Sequence, residues 1–248
     1  MPESVYEDHP SFPQPGADAK IWRYCDLQKF ISVLHRRALY FSRLSTLEDP
    51  YEAKWPKSMA IRFPDFSQSN FDRTRHQVFA SCWHINEFES AAMWQLYSRM
   101  DEGVAIRSSL RSLKAGLVGF DPVPPDIITP GVPPKVFIGK VSYLDYENDA
   151  FDWSNMLTAA IHKRRSFEHE RELRAVCWLS SNYLEWIPNP GPYHSGIFVN
   201  CDLDTLIEEV VISPTAPAVF VEAVRAVCGK FGVIRPIVQS DLNTSPVY

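Results

Sequence analysis

The sequence predicts an α+β fold: a single domain in which a mixed or mainly antiparallel sheet packs against helices. Three observations carry this. Strand-like segments outnumber helix-periodic ones, and the two kinds do not alternate as a doubly wound sheet requires. The chain, at 248 residues, is long enough for one well-buried core. Its 45% hydrophobic and 22% charged residues are ordinary for a globular protein and exclude disordered and fibrous classes.

The segment from Met1 to Lys20 carries four prolines and no apolar stretch, which excludes a secretory signal and predicts a flexible arm over residues 1–20. Residues 21–248 then form the domain. Asp26 caps a helix whose apolar positions Leu27, Phe30, Ile31 and Leu34 have helical spacing, ending near Arg37. Leu39–Arg43 alternates and is aromatic, so it reads as a strand. Asp49-Pro50 marks a turn, because proline moves its predecessor out of helix. Val78–Trp83 reads as a buried strand. Ser90 caps a helix carrying Met93, Trp94 and Tyr97, and Gly103 ends it before a strand at Val104–Ile106.

Six prolines between Phe120 and Lys135 predict a stiff loop or flap inserted into the domain, not a regular element. Beyond it come a strand (Val136–Leu144), a helix (Trp153–Lys163) and a strand (Leu173–Leu179). After the turn-rich Pro188–Gly196 follow strands at Ile197–Asn200 and Glu209–Ile212, a helix (Ala216–Lys230) and a last strand (Val233–Val238). No internal repeat is present.

Composition removes several function classes. No apolar run approaches the roughly 18–20 residues of a membrane span, so no membrane partner is expected. A net charge of −5 argues against broad binding of long nucleic acid. Five scattered cysteines, with no CxxC pair, fit reduced thiols in a cytoplasmic protein rather than a disulfide framework or zinc site. Among ten glycines there is no phosphate-binding loop of the Rossmann or Walker type.

Several pieces of the chain resemble the bacterial domain-of-unknown-function family 2971. They are Trp22-Arg23-Tyr24, Leu39-Tyr40-Phe41-Ser42-Arg43, Asp49-Pro50-Tyr51-Glu52, Ser81-Cys82-Trp83, Met93-Trp94-x-x-Tyr97, Gly103-Val104-Ala105-Ile106, Phe167-Glu168-x-Glu170-x-Glu172-x-Arg174, Glu209-Val210-Val211-Ile212 and Ser240-Asp241-Leu242. They span residues 21 to 242 in order; Glu48 departs from the asparagine more usual before Asp-Pro. The order of arginine on a first strand, aromatic-serine on a second and Glu-x-Glu before a late strand is, more distantly, similar to ADP-ribosyltransferases of the Arg-Ser-Glu type. That resemblance implies an ADP-ribosyltransferase-like fold and a bacterial transferase or NAD glycohydrolase, in a phage-defence or toxin setting. NAD would be the substrate, no metal is expected, and the acceptor would be a protein, a nucleic acid or water.

The chemistry suits those residues. Cleaving nicotinamide from ribose passes through an oxocarbenium-like state, and a carboxylate on the 2′-hydroxyl helps most there. Glu172 and Glu170 are the catalytic candidates, one holding the ribose and the other orienting or deprotonating the acceptor. Spaced i, i+2 in extended chain, they would share a face. Arg23 is the first candidate for the diphosphate, with Arg43 and the cluster Lys163-Arg164-Arg165 behind it. Ser42 would bond the ribose or position Glu172, while Tyr24, Tyr40, Phe41 and Trp94 would give a stacking wall.

Plainer readings compete. Arg23 can pack its stem on aromatics, the large aromatics can be core, and the acids can be a solvated run paired with Lys163, Arg165, Arg171 and Arg174. His84 has no second histidine beside it, and His162 and His169 fit a surface placement. Two other functions stand as alternatives: a non-enzymatic sensor or partner-binding module, and a metal-dependent nuclease built on Asp49 and Glu52.

Overall fold

The computed structural model describes residues 4–63, 75–98, 101–120, 134–153, 155–179 and 195–245. Most of the proline-rich segment, 121–133, lies outside the described residues, as does most of the turn-rich Pro188–Gly196.

β1 (Lys20–Asp26) runs directly into α1 (Leu27–Arg36), where the Asp26 side chain accepts from the Lys29 amide. α1 buries Phe30, Val33 and Leu34 as an i, i+3, i+4 stripe, and ends when Arg37 turns left-handed at φ 49°. The chain continues through β2 (Ala38–Arg43), α2 (Lys57–Arg62), β3 (Val78–Ile85), α3 (Ala91–Tyr97), β4 (Gly103–Ser109), α4 (Leu110–Gly116) and β5 (Leu117–Phe120). β6 (Val136–Lys140), β7 (Ser142–Leu144), β8 (His162–Arg164), β9 (Glu172–Trp178) and β10 (Gly196–Cys201) follow. The last elements are α5 (Leu203–Leu206), β11 (Glu209–Ile212), α6 (Ala218–Lys230) and β12 (Ile237–Gln239).

The described strands form a ten-stranded sheet in the order β12-β11-β4-β1-β3-β2-β10-β5, with β9 pairing the far edge of β3 and β6 pairing β9; β7 and β8 form a separate parallel pair. Within the large sheet only β11–β12 is parallel. The fold is therefore α+β with a mixed, mainly antiparallel sheet, as the irregular order of segments predicts.

One edge of β3 is shared by two strands. Its end pairs β1 (Ile21↔Ile85, Trp22↔His84) and its beginning pairs β2 (Ser42↔Ala80, Arg43↔Phe79), while its other edge pairs β9 continuously from Val78 to His84. Beyond those short contacts β1 turns to pair β4 over its whole length, and β2 turns to β10. The sheet thus forks along Ser81–Trp83.

Strand alternation then divides the chemistry between two faces. Ile21, Arg23, Leu39, Phe41, Phe79, Trp83, Ile106 and Ala175 face the main core, joined by α1 and α4. The other face carries Trp22, Tyr24, Cys82, His84, Glu172, Arg174 and Val176.

The N-terminal arm is held rather than loose. The Val5 amide donates to the Leu117 carbonyl at 3.1 Å, and the Val136 amide donates to the Val5 carbonyl at 3.0 Å. One residue thereby joins β5 to β6 and closes the strands β3, β9, β6, β5, β10 and β2 into a ring. Phe12, 2% exposed, packs on Gly139, where a side chain would crowd the Phe12 ring at 3.0 Å. Apolar burial outweighs the prolines here.

Three elements differ from the expected ones. Met156–Ile161 is a 3-10 helix that passes into β8, not part of a helix over Trp153–Lys163. Ala159, Ala160 and Ile161 are all buried, so no solvent face exists for an amphipathic helix. Thr158 Oγ1 also bonds the Asp152 and Asn155 carbonyls, competing with helical pairing. The strand expected over Val136–Leu144 breaks at Val141, whose amide donates to the Glu172 carbonyl. β12 starts only at Ile237, after Gly232 (φ 70°) and Pro236.

Candidate functional site

On the second face of the sheet the motifs Asp49-Pro50-Tyr51-Glu52 and Glu170-x-Glu172-x-Arg174 meet as one ion network. Arg174, 1% exposed, donates from Nη1 and Nη2 to both Glu52 oxygens at 2.7 and 2.9 Å, and from Nε to Glu172 at 2.7 Å. Nη1 also donates to the Ala160 carbonyl at 2.8 Å and Nη2 to the second Glu172 oxygen at 3.1 Å. Lys163, at the centre of β8, bridges Glu170 at 2.6 Å and Glu172 at 2.7 Å. Beside them Arg164 forks onto Asp49 at 2.8 and 3.2 Å and lies over the Tyr51 ring at 4.4 Å.

β9 supplies Glu172 and Arg174 at alternate positions, so both point to this face. Glu170 arrives differently. It ends a 3-10 helix (Arg165–Glu170), and Arg171 turns left-handed at φ 43° before the strand starts. The chain between the two acids is not extended, so the i, i+2 argument fails for them. It is Lys163 that brings the carboxylates together.

Charge counting defines the site. Among the described residues Glu52, Glu170 and Glu172 share two cations, Lys163 and Arg174, so three acids face two positive charges. Burial pushes the Glu172 pKa up, but the Arg174 charge and hydrogen bonds from Glu170 and Arg174 hold it well below the usual carboxylate range. Burial, then the hydrogen bond and charge of Glu172, raise Glu170 to about 7 against the pull of Lys163. The pair therefore holds one proton near neutrality, with Glu172 ionised. For Lys163, neighbouring carboxylates outweigh burial and raise its pKa.

Four further groups border the pair. Burial and the nearby Glu170 and Glu172 charges raise the Tyr97 pKa, and Tyr143 accepts from the Glu172 amide at 2.8 Å. Cys82, opposite Arg174, has its thiol pushed up to about 12 by burial and the Glu172 charge. His84 lies opposite Glu172 and contacts the Glu170 carbonyl through Nδ1 at 2.6 Å. A carbonyl only accepts, so Nδ1 carries the proton.

The other candidates are distributed as follows. Arg23 fills the fork of the sheet: its guanidinium donates to Ser81 Oγ and to the Cys82 and Tyr40 carbonyls, the latter two at 3.2 Å. It also lies 5.8 Å from the Trp83 ring centre. Arg23 and Glu172 thus stand on opposite faces, and the arginine's donors are directed to protein acceptors. Arg43 is buried on the Arg23 side over Phe79. Ser42 shares the Glu172 face, opposite Ala80. Arg23, Ser42 and Glu172 each adjoin the same five residues of β3, Ala80–His84.

The stacking wall divides in the same way. Phe41 is fully buried in the main core, whereas Tyr24 and Trp94 pack edge-on at 4.9 Å in a separate cluster on the other face. Tyr40 is half-buried beside Phe198. Arg165 pairs with Asp149, His162 stacks on Phe151 at 4.1 Å, and His169 is exposed. Asp49 and Glu52 are each held by an arginine, which leaves neither as an open metal ligand.

Sequence reasoning paired Lys163 and Arg174 with the acids only as a solvated run, and did not set Tyr97 or His84 beside them. Alternation from Glu172 carried the signal for Arg174; nothing in sequence spacing links Lys163 or Tyr97 to Glu170.

No protein family and no curated protein matches the chain, so the likeness to family 2971 rests on the quoted motifs alone. No described helix is long and apolar enough to cross a membrane. Two solved structures of DarT from Thermus sp. 2.9 are similar to it. One, in complex with carba-NAD+, is 13% identical with a TM-score of 0.37, over 91% of this chain and 96% of that one. The other, in complex with ADP-ribosylated ssDNA, is 11% identical with a TM-score of 0.39, over 96% and 97%. Likenesses of this size carry no residue role across to this chain.

Proposed function

We propose that this protein is an NAD-using ADP-ribosyltransferase or NAD glycohydrolase that reacts at the Glu170–Glu172 pair. The observation that carries the reading is the meeting of two carboxylates on one lysine, at 2.6 and 2.7 Å, with opposite proton preferences. Glycosidic cleavage uses such a division: one acid stays charged while the other exchanges a proton. Glu172, held ionised, supplies fixed negative charge toward the developing sugar cation. Glu170, close to half-protonated at neutral pH, takes the proton of the attacking hydroxyl, amide or water. Ser42 lies on the same face of the sheet.

Arg23 has a positioning role in this reading, since it holds the β3 segment against which the site is built. The nuclease alternative loses its ligands to Arg164 and Arg174. A plain binding module would not require acids of opposed proton affinity. The test is mass-spectrometric detection of nicotinamide after incubation with NAD, alone and with cell lysate as a source of acceptor. Release by the parent and none by Glu172→Gln supports the reading; equal release by both excludes Glu172.

A further inference from the structure

Of the two carboxylates and the lysine between them, Lys163 and Glu172 stand on strands and Glu170 does not. The chain leaves β8 at Arg164, makes the 3-10 helix and reverses at Arg171 before it enters β9. A side chain on such a segment keeps its place only if the backbone beneath it is held. The end of β3 holds it at two consecutive carbonyls. The Ile85 amide donates to the Arg171 carbonyl at 2.9 Å, one bond past the His84↔Glu172 pair that ends the β3–β9 ladder. The Glu170 carbonyl is met instead by a side chain, that of His84, through Nδ1 at 2.6 Å.

The ring is used for one purpose. Nδ1 gives its proton to the carbonyl, so Nε2 is a bare acceptor, and it has no hydrogen-bond partner among the described residues. The side chain is buried and meets Tyr24 edge-on, with 6.3 Å between ring centres. An apolar residue would fill this space without leaving an acceptor open, so what histidine adds is the single N–H. Burial holds the His84 pKa below the usual histidine range, and the Arg171 charge acts the same way against the pull of the Glu170 carbonyl. The ring is therefore neutral near pH 7, and it acts on Glu170 by position rather than by charge.

We propose that His84 is a positioning residue: its Nδ1–H pins the Glu170 carbonyl, fixes the turn before β9, and so keeps the Glu170 carboxylate on Lys163 beside Glu172. The titratable groups around that carboxylate are Lys163 on β8, Glu172 on β9, Tyr143 on β7 and Tyr97 on α3, with Arg171 next to it in the chain. His84 differs from them in holding the backbone. Its consequence for nicotinamide release rests on the proposed NAD chemistry; the placement of Glu170 does not.

Two measurements test this. In the parent at neutral pH, the imidazole nitrogen NMR spectrum of His84 is expected to show Nδ1 protonated and Nε2 bare; the opposite tautomer overturns the proposal. This needs no variant, and so decides even where a substitution unfolds the protein. Next, the Glu170 carboxyl carbon is titrated by NMR in the parent, His84→Asn and His84→Gln. The asparagine amide nitrogen takes the place of Nδ1, whereas that of glutamine falls nearer Nε2. Parent and His84→Asn are expected to titrate near 7, and His84→Gln at least one pH unit lower, toward the ordinary 4.5, with an unchanged circular dichroism spectrum. Equal titration in all three, or an equal fall in both variants, overturns the proposal. If Glu170 follows the expected pattern but the parent with lysate releases no nicotinamide from NAD, the positioning stands and the transfer reading fails. If nicotinamide is released, His84→Gln is expected to lose at least tenfold in kcat with KM little changed, and His84→Asn to recover most of it.

Discussion

Glu52 and Arg174, 122 positions apart in the chain, face each other inside the protein through paired hydrogen bonds of 2.7 and 2.9 Å. This contact ties the turn after β2 to the middle of β9, and through Glu172 it sets the charge state of the candidate site. The fork-to-fork geometry is the strong form of an ion pair, but burial makes it costly to break.

Replacing Arg174 by methionine leaves Glu52 without its partner and Glu172 dependent on Lys163. We expect a loss of about 3–5 kcal/mol in urea unfolding. Adding Glu52→Gln should recover part of it, because the orphaned charge is gone; strictly additive losses would deny the coupling.

The carboxyl pair makes stability depend on pH. Glu170 is raised from 4.5 to about 7, so its contribution is complete below 4.5 and is lost as pH rises through about 7. Glu172, held low, contributes above 4.5 and loses its contribution only in stronger acid. Melting temperatures of the parent and Glu170→Gln, compared from pH 4.5 to 8, should diverge across that window. Parallel curves would show that Glu170 titrates normally.

Arg23→Met removes the donors that hold the fork of the sheet and leaves the Cys82 and Tyr40 carbonyls unpaired by it. The expected cost is about 1–3 kcal/mol. Hydrogen exchange should quicken first at Ser81–Trp83, where β1 and β2 part, and not at Val136–Lys140.

Phe12→Ala should cost about 3–5 kcal/mol, a loss expected of a fully buried aromatic and not of a loose arm. Deleting residues 1–16 should also open the β5–β6 closure, seen as loss of amide protection at Val136.

The sequence made legible what depends on local pattern. The capped helix after Asp26, the strands around Phe41, Phe79 and Ala175, and the α+β class follow from periodicity and capping. Arm docking did not, because Phe12 finds its pocket on Gly139, far away in the chain. The site was legible in half. Glu170 and Glu172 stood out as acids before an apolar strand, but Lys163, on β8, and Glu52, on the turn after β2, join them only in the fold. Arg23 shows the limit most clearly: alternation gives a residue its face only relative to a register, and that register lies in the fork of β3.

The most direct test of the central claim is the pH dependence of nicotinamide release from NAD, measured with a saturating acceptor extract, for the parent and Glu170→Gln. The account predicts a parent rate that rises with pH through about 7, as Glu170 becomes the base, and a variant at least a hundredfold slower with that rise absent. A variant that releases nicotinamide at the parent rate with the same profile would contradict it.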